Sequence, residues 1–304
     1  DREPEDLLGE GHMDFLVRKA VRLGLDPVQA LTMASLNAAE YFGLRGLGAV
    51  APGYQADLVV LDDLSTCQVD LVFKAGHLVG RGGQPLWERR NLPASSLANR
   101  VRLGLFSLDS LAIPARTGRV RVLEMIPDQI VTRHLVEEAP LRDGRVVSDP
   151  SRDLLKLAVL ERHHATGHVG LGLVRGFGLK RGALASTVAH DSHNLVVVGV
   201  EDEDLHLAAC EARRLGGGLV VVAEGRVLAS LPLPVAGLMS DRPLEEVRDA
   251  VRALHRAAGL LGCDLPRPFM SLAFLALPVI PALKLTDLGL VDVQAFRQVD
   301  LFVP

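Results

Sequence analysis

Apolar runs of strand length, separated by short polar turns, dominate the second half of the chain and most constrain its fold. Runs at residues 169–174, 183–188 and 195–199 predict strands, and residues 218–233 (GLVVVAEGRVLASLPL) predict a β-hairpin. Residues 201–214 (EDEDLHLAACEARR) predict a helix, because acids fill its first turn and arginines its last. A sheet with helices packed on it, an α+β domain, is the expected result.

The first part of the chain has a different character. Residues 13–23 predict a helix that Gly24 ends, and Asp26-Pro27 begins a second helix that ends at Gly43. Apolar runs of strand length then appear at residues 58–61 and, as two short strands, within residues 69–83. The sequence therefore predicts a helical piece, a small β unit and a larger α+β domain, with boundaries at residues 1–44, 45–84 and 85–304.

Two more helices are predicted in the larger domain. Asp149-Pro150 predicts a helix start like that at Asp26-Pro27, and the helix would run through residues 149–164 (DPSRDLLKLAVLERHH). His163 and His164 would then lie at the C-terminus of that helix, where partial positive charge is favoured. Apolar residues at helical spacing from Leu244 to Leu261 predict the second, longer helix.

Composition excludes several classes of partner. The net charge of −4 gives no basic surface for a nucleic acid or an anionic membrane. The longest apolar stretch, residues 268–283, contains Pro278 and Pro281 and is shorter than the ~18–20 residues of a membrane span. Three cysteines far apart in the sequence are typical of a reduced, cytoplasmic protein.

One polar cluster stands directly before a run of valines. His190, Asp191, His193 and Asn194 fall within five positions of the chain. The cluster is either a strand-end loop whose side chains satisfy the backbone, or a substrate-pocket element that needs buried partners. A metal site is disfavoured, because two histidines three apart on a non-helical segment need not converge and a third ligand is missing nearby. The chain also has no H-x-H, H-E-x-x-H or C-x-x-C pattern, so no metal ligands are assigned.

Longer segments carry a resemblance to a known family. Residues 10–44 (EGHMDFLVRKAVRLGLDPVQALTMASLNAAEYFGL) and 48–62 (GAVAPGYQADLVVLD) resemble the end of an amidohydrolase-superfamily barrel and the strands that follow it. Residues 163–199, 231–241 and 268–290 resemble the adenine deaminase family within that superfamily. The resemblance implies an α/β and α+β fold: the last helices of a (β/α)8 barrel, a small β-sandwich segment and an adenine-deaminase-type C-terminal domain.

The same resemblance implies a function and its partners. The chain would be the C-terminal part of an enzyme that hydrolyses adenine to hypoxanthine and ammonia. It would work with the N-terminal part of the same polypeptide, which would supply the main ligands of a divalent metal pair, manganese or iron. Asp1 would be a catalytic residue at the end of the last barrel strand, either a metal ligand or, as we favour, the second aspartate of a pair, near the substrate. His12 is either a pocket residue at the barrel mouth or a helix-start residue with local hydrogen bonds, and a homodimer or larger assembly is expected.

Two other functions stay open at this point. The barrel-end segment alone also fits an amidohydrolase that acts on other purines or on cyclic amides. The chain by itself also fits a non-catalytic assembly module, because it has no assigned metal ligands. Activity on adenine compared with guanine, hydantoin and dihydroorotate separates the first alternative, and an assay of the chain alone separates the second.

Overall fold

The computed structural model describes residues 2–87, 97–116, 118–127 and 129–303. The chain divides into two compact units, Asp1–Pro93 and Ala94–Pro304. Its α-helices are α1 Pro4–Gly9, α2 Met13–Arg22, α3 Pro27–Thr32, α4 Ala38–Tyr41, α5 Asp202–Arg214, α6 Leu244–Leu260 and α7 Pro268–Phe274. Its strands are β1 Leu58–Leu61, β2 Val69–Lys74, β3 His77–Arg81, β4 Gln84–Pro85, β5 Ile113–Pro114, β6 Arg119–Met125, β7 Thr132–Glu138, β8 Leu141–Arg142, β9 Arg145–Val146, β10 Leu155–Leu160, β11 Val169–Arg175, β12 Ala183–Ser186, β13 Leu195–Gly199, β14 Gly218–Ala223, β15 Arg226–Pro232, β16 Leu283–Thr286, β17 Gly289–Asp292, β18 Arg297–Val299 and β19 Phe302–Val303.

The unit Asp1–Pro93 begins with helices and ends with a small sheet. Asp26 caps α3 by accepting a hydrogen bond from the Gln29 amide at 2.9 Å, which confirms the predicted helix start. A π-helical turn over Met33–Asn37 joins α3 to α4. Strands β1 to β4 form an antiparallel sheet in sequence order. The two strands predicted within residues 69–83 are confirmed as β2 and β3. The buried core of this unit is small and centres on Val17, Ala30 and Cys67.

The unit Ala94–Pro304 is built on one large sheet. Its strand order is β15-β14-β12-β13-β10-β11-β6-β19, with β7 also paired to β6. Neighbours on this path are antiparallel, except that β11 and β6 run parallel. The predicted strands at 169–174 and 195–199 and the hairpin at 218–233 are confirmed as β11, β13 and β14–β15. The predicted strand at 183–188 ends earlier, at Ser186.

Helices cover both faces of this sheet. On β10, Leu157 and Val159 point to the cluster that includes α6 and α7 residues, whereas Ala158 and Leu160 point to the cluster that includes α5 residues. Alternating side chains of β10 are therefore buried on opposite faces of the sheet, and all residues of this strand are buried. This arrangement makes the centre of the sheet the core of the unit.

The predicted helix that starts at Asp149-Pro150 is wrong. Residues after Pro150 form a turn, and Leu155–Leu160 is the fully buried strand β10. A short apolar run that is buried on both faces has no alternation, so it cannot be told from a buried helix by its pattern. His163 and His164 consequently follow a strand and lie in the loop between β10 and β11, not at a helix C-terminus.

The mixed α/β class is confirmed, with a large mixed sheet and few helices. Across residues 2–87, 97–116, 118–127 and 129–303 the strands form open sheets, and no closed barrel occurs. None of the helices in these ranges combines the length and the apolar character that crossing a bilayer requires.

Candidate functional site

Two connections of the large sheet meet at one end of its central strands. Leu160, the last residue of β10, is paired with both Val169 at the start of β11 and Leu195 at the start of β13. The β10–β11 connection, residues 161–168, is called here the glutamate loop. The β12–β13 connection, residues 187–194, is called the histidine loop. Because their strands are neighbours in the sheet, the two loops lie side by side.

Glu161 organises the glutamate loop. Its carboxylate accepts hydrogen bonds from the backbone amides of His163 at 2.5 Å, His164 at 2.8 Å and Thr166 at 3.0 Å. The Thr166 hydroxyl donates a fourth hydrogen bond at 3.0 Å. Burial raises the pKa of the carboxyl, but these hydrogen bonds outweigh burial and lower its pKa to about 2. Glu161 is therefore ionised at neutral pH, and its oxygens are occupied by its own loop.

Arg162 ties the histidine loop to a third segment. The buried guanidinium donates from Nε to the His193 carbonyl, from Nη1 to the Ala236 carbonyl at 3.1 Å and from Nη2 to the Thr187 carbonyl at 3.4 Å. Burial lowers its pKa to about 10, and the charge of Glu161 opposes this fall. The arginine thus stays cationic at neutral pH and uses its donors to hold backbone in place.

Gly237 is required beside this guanidinium. Its φ is +72°, and a Cβ there would lie 2.6 Å from Nη1 of Arg162. The Gly237 carbonyl also accepts a hydrogen bond from the Thr187 hydroxyl at 2.6 Å, while that hydroxyl accepts one from the Gly218 amide at 2.8 Å. The segment around Ala236 and Gly237 therefore packs closely on the first residue of the histidine loop.

His193 is held at its backbone and at one ring nitrogen. Its amide donates to the Ala189 carbonyl at 2.6 Å, and its Nδ1 accepts from the Ala189 amide at 3.2 Å. Its φ is +50°, a left-handed conformation that non-glycine residues rarely adopt. Burial, together with the neighbouring His190 and Arg162, lowers the pKa of His193. The ring is therefore neutral at neutral pH.

Aromatic rings and a second histidine complete the loop. The His190 ring lies 4.7 Å from the Phe274 ring of α7 and 5.8 Å from the His193 ring, both in tilted, edge-on arrangements. His163 of the glutamate loop reaches the Ser192 carbonyl with its Nε2 at 2.7 Å. These contacts give the loop one aromatic wall, formed by Phe274 and the neighbouring imidazoles.

Asn194 links the histidine loop to the turn between β16 and β17. The buried side chain donates from Nδ2 to Asp287 Oδ1 at 2.9 Å, and His168 Nδ1 lies 3.9 Å from Asp287 Oδ2. Within the part of the chain that the structure describes, the buried Oδ1 of Asn194 has no hydrogen-bond partner. A buried amide oxygen of this kind is uncommon in folded proteins.

The structure places the residues that the sequence singled out in three different ways. The rings of His190 and His193 lie 5.8 Å apart in the histidine loop, the side chain of Asn194 contacts Asp287, and Asp191 is exposed in the same loop. His12 lies in the other unit, directly before α2, where its amide donates to Asp14 Oδ1 at 2.7 Å. Asp1 lies outside the described residues.

Sequence reasoning missed four residues that build the site: Glu161, Arg162, Phe274 and Asp287. Glu161 and Arg162 directly follow the buried strand β10. The sequence pattern predicts a helix over residues 149–164, so it does not indicate that these two residues begin a loop. Phe274 and Asp287 reach the loop from about 80 to 90 residues further along the chain. No local sequence pattern predicts such contacts.

The residues present do not fit a metal pair. Throughout residues 2–87, 97–116, 118–127 and 129–303, no group of three or more histidine, cysteine, aspartate or glutamate side chains is arranged to hold a metal ion. The donor chemistry of the histidine loop agrees, because Glu161 is saturated by its own loop and Nδ1 of His193 accepts a backbone hydrogen bond.

Comparisons with known proteins identify both parts of the chain. The Adenine deaminase C-terminal domain matches residues 129–297, and the Amidohydrolase family matches residues 5–79. An "Adenine deaminase" of Dehalococcoides mccartyi is 50% identical over 297 residues, which is 98% of this chain and 52% of that protein. An "Adenine deaminase 2" of Carboxydothermus hydrogenoformans is 52% identical over 300 residues, 98% of this chain and 53% of that protein.

A third relative has the same relation to the chain. An "Adenine deaminase" of Moorella thermoacetica is 48% identical over 311 residues, 99% of this chain and 52% of that protein. The chain thus spans about half the length of the curated relatives it matches. Because the Adenine deaminase C-terminal domain covers more than half of its residues, the chain belongs to the adenine deaminase family.

Proposed function

We propose that this chain is a working part of an adenine deaminase, an enzyme that hydrolyses adenine to hypoxanthine and ammonia. The observation that carries the proposal is the match to proteins named adenine deaminase, about 50% identical along 98% of this chain. The matched stretch covers nearly all residues of both units.

The domain organisation implied by the resemblance is part of the proposal. Residues 1–44 would be the last helices of an amidohydrolase barrel, residues 45–84 its β-sandwich segment, and residues 85–304 the C-terminal domain. The family matches at 5–79 and 129–297 support this division, as does the change from helices to strands between Tyr41 and Leu58.

The enzyme would require a divalent metal pair, manganese or iron, with its main ligands outside this chain. The match to the Amidohydrolase family supports this requirement. When bound, such a metal pair would make water nucleophilic at neutral pH. The N-terminal part of the same polypeptide would be the partner that supplies the ligands, which agrees with the greater length of the relatives.

The histidine loop would contact the substrate. His190, Asp191, His193 and Asn194 would form part of the substrate pocket, since the loop combines an aromatic wall with polar groups fixed by Arg162. The catalytic role of Asp1 and the pocket role of His12 rest on the family resemblance. A cytoplasmic homodimer or larger assembly is also proposed, on the resemblance and on three free cysteines.

The experiment is a substrate comparison with the full-length polypeptide. Ammonia release is measured with adenine, guanine, hydantoin and dihydroorotate, before and after metal removal and manganese or iron reconstitution. The proposal expects turnover of adenine that is lost with the metal and restored by it. Turnover of another substrate without adenine turnover would assign the chain to a different amidohydrolase, and metal-independent adenine turnover would also contradict the proposal.

A further inference from the structure

The histidine loop presents one ring N–H that its own contacts leave unused. Nδ1 of His193 accepts a hydrogen bond from the Ala189 amide, so it carries no hydrogen. A neutral imidazole has one N–H, which must then be on Nε2. Among residues 2–87, 97–116, 118–127 and 129–303, no residue accepts a hydrogen bond from that Nε2.

Neighbouring polar groups are already committed to the fold. Arg162 gives its donors to three carbonyls, and the amide nitrogen of Asn194 is bound to Asp287. Nε2 of His163 is bound to the Ser192 carbonyl. His193 therefore combines a fixed ring position with a donor at Nε2 that is still available to a ligand.

The surroundings define the chemistry of that ligand. The charge of Glu161 lies next to that of Arg162, and the three hydrogen bonds that Arg162 donates all go to backbone carbonyls, so the loop offers no uncompensated cation for a phosphate or another anion. The Phe274 and His190 rings form an aromatic wall next to His193. A flat, uncharged heteroaromatic base with an in-plane nitrogen acceptor fits both features.

We propose that His193 recognises the free purine base by donating a hydrogen bond from Nε2 to one of its ring nitrogens. This inference rests on the proposed function, because it names the contact that the same pocket makes with adenine. His193 acts as a fixed donor. It does not act as a base at Nε2, because that nitrogen already carries the hydrogen in the neutral ring.

One substitution separates the donor from the loop structure. In His193→Asn the side-chain oxygen takes the place of Nδ1 as acceptor for the Ala189 amide, and asparagine tolerates a positive φ better than most residues. The donor at the Nε2 position is lost. His164→Asn is the matched control, because it makes the same change at an exposed position of the neighbouring loop.

The test uses the full-length polypeptide with adenine as substrate and with 1-deazaadenine, 3-deazaadenine and 7-deazaadenine as inhibitors. We expect H193N to lower kcat/KM for adenine about tenfold, the loss of one ligand hydrogen bond, while H164N stays within about twofold of the wild type. Thermal midpoints of both variants are expected to stay near that of the wild type. The analogue that lacks the accepting nitrogen should inhibit the wild type and H193N equally, whereas the other two should inhibit H193N about tenfold less than the wild type.

Distinct results overturn the two levels of the account. Failure of the wild-type polypeptide to deaminate adenine would remove the proposed function. Normal adenine turnover by the wild type, together with an unchanged kcat/KM in H193N, would remove only the role of His193. Equal losses with adenine and with all three analogues would also remove it. A nitrogen NMR spectrum of this chain gives an independent readout, since the hydrogen must be on Nε2; a hydrogen on Nδ1 would contradict the inference.

Discussion

The two units of the chain differ in how far their large apolar side chains are buried. In Ala94–Pro304, Leu157 and Val198 on one face of the large sheet and Ala158 and Val197 on the other are buried. In Asp1–Pro93, Leu23 and Tyr41 remain 81% and 84% exposed. Exposed apolar groups also occur on the sheet of that unit, at Val59 and Val60.

This difference teaches which unit can account for its own stability. The larger unit buries three connected clusters of aliphatic side chains, which is the main source of folding free energy. The smaller unit buries very few apolar side chains and exposes many large ones. Extensive exposed apolar surface usually marks a region that packs against another part of a protein. This supports the proposed packing of Asp1–Pro93 on a further part of a longer polypeptide.

Separation of the two units should have the largest effect. We expect residues 97–303, expressed alone, to unfold cooperatively with a thermal midpoint close to that of the whole chain. Residues 2–87 alone should show no cooperative transition, because too little apolar surface is buried to offset chain entropy. Calorimetry and circular dichroism on both fragments test this. A cooperative transition in residues 2–87 would remove the contrast between the units.

Replacement of Arg162 should destabilise the larger unit strongly. Arg162→Leu leaves the carbonyls of Thr187, His193 and Ala236 buried without their donor, and we expect a loss of about 3–5 kcal/mol in the free energy of unfolding. Urea denaturation of the whole chain measures this loss. Arg213→Leu, at an exposed position on α5, is the matched control and should change the same quantity by less than about 0.5 kcal/mol. Similar values for the two variants would show that the guanidinium does not hold these loops together.

The glutamate loop should give the larger unit a characteristic acid sensitivity. The pKa of Glu161 is lowered to about 2, so its stabilisation is complete above the unfolded value near 4.5 and is lost as the pH falls towards 2. We expect Glu161→Gln to lower the free energy of unfolding by about 2–3 kcal/mol at pH 7, and the gap to the wild type to narrow below pH 4.5. Unfolding curves between pH 2.5 and 7 measure both effects. A gap independent of pH would contradict the assignment.

A polar substitution in the smaller unit should have the smallest effect in this chain. Phe42 is 71% exposed and stacks edge-on against Tyr41 at 4.9 Å. Phe42→Ser should therefore change the free energy of unfolding of this chain by less than about 0.5 kcal/mol. In the full-length polypeptide, where we propose that this surface is covered, the same change should cost about 2 kcal/mol or more. Equal small effects in both would mean that this surface stays open.

Prediction from sequence succeeded where a pattern was local. The apolar runs of β11 and β13 and the acid-to-base gradient of α5 are local, and they identified those elements. The cap at Asp26 placed the start of α3. Strand β10 failed for a physical reason: burial on both faces removes the alternation that distinguishes a half-buried strand from a helix.

The site was only partly predictable for a related reason. The density of polar groups in the histidine loop marks it as unusual, and the structure places the rings of His190 and His193 5.8 Å apart there. The groups that fix it are distant in sequence: Arg162 reaches Ala236, and Asn194 reaches Asp287. Such pairings depend on strand order, which one sequence does not give without the sheet. The amide of Ala189 that fixes the His193 ring is likewise visible only in three dimensions.

Adenine turnover by this chain alone, compared with the full-length polypeptide under the same manganese or iron loading, tests the account most directly. We expect ammonia and hypoxanthine from the full-length polypeptide and neither product from this chain by itself. Deamination by this chain alone, or a metal-loaded full-length polypeptide that leaves adenine unchanged, would contradict it.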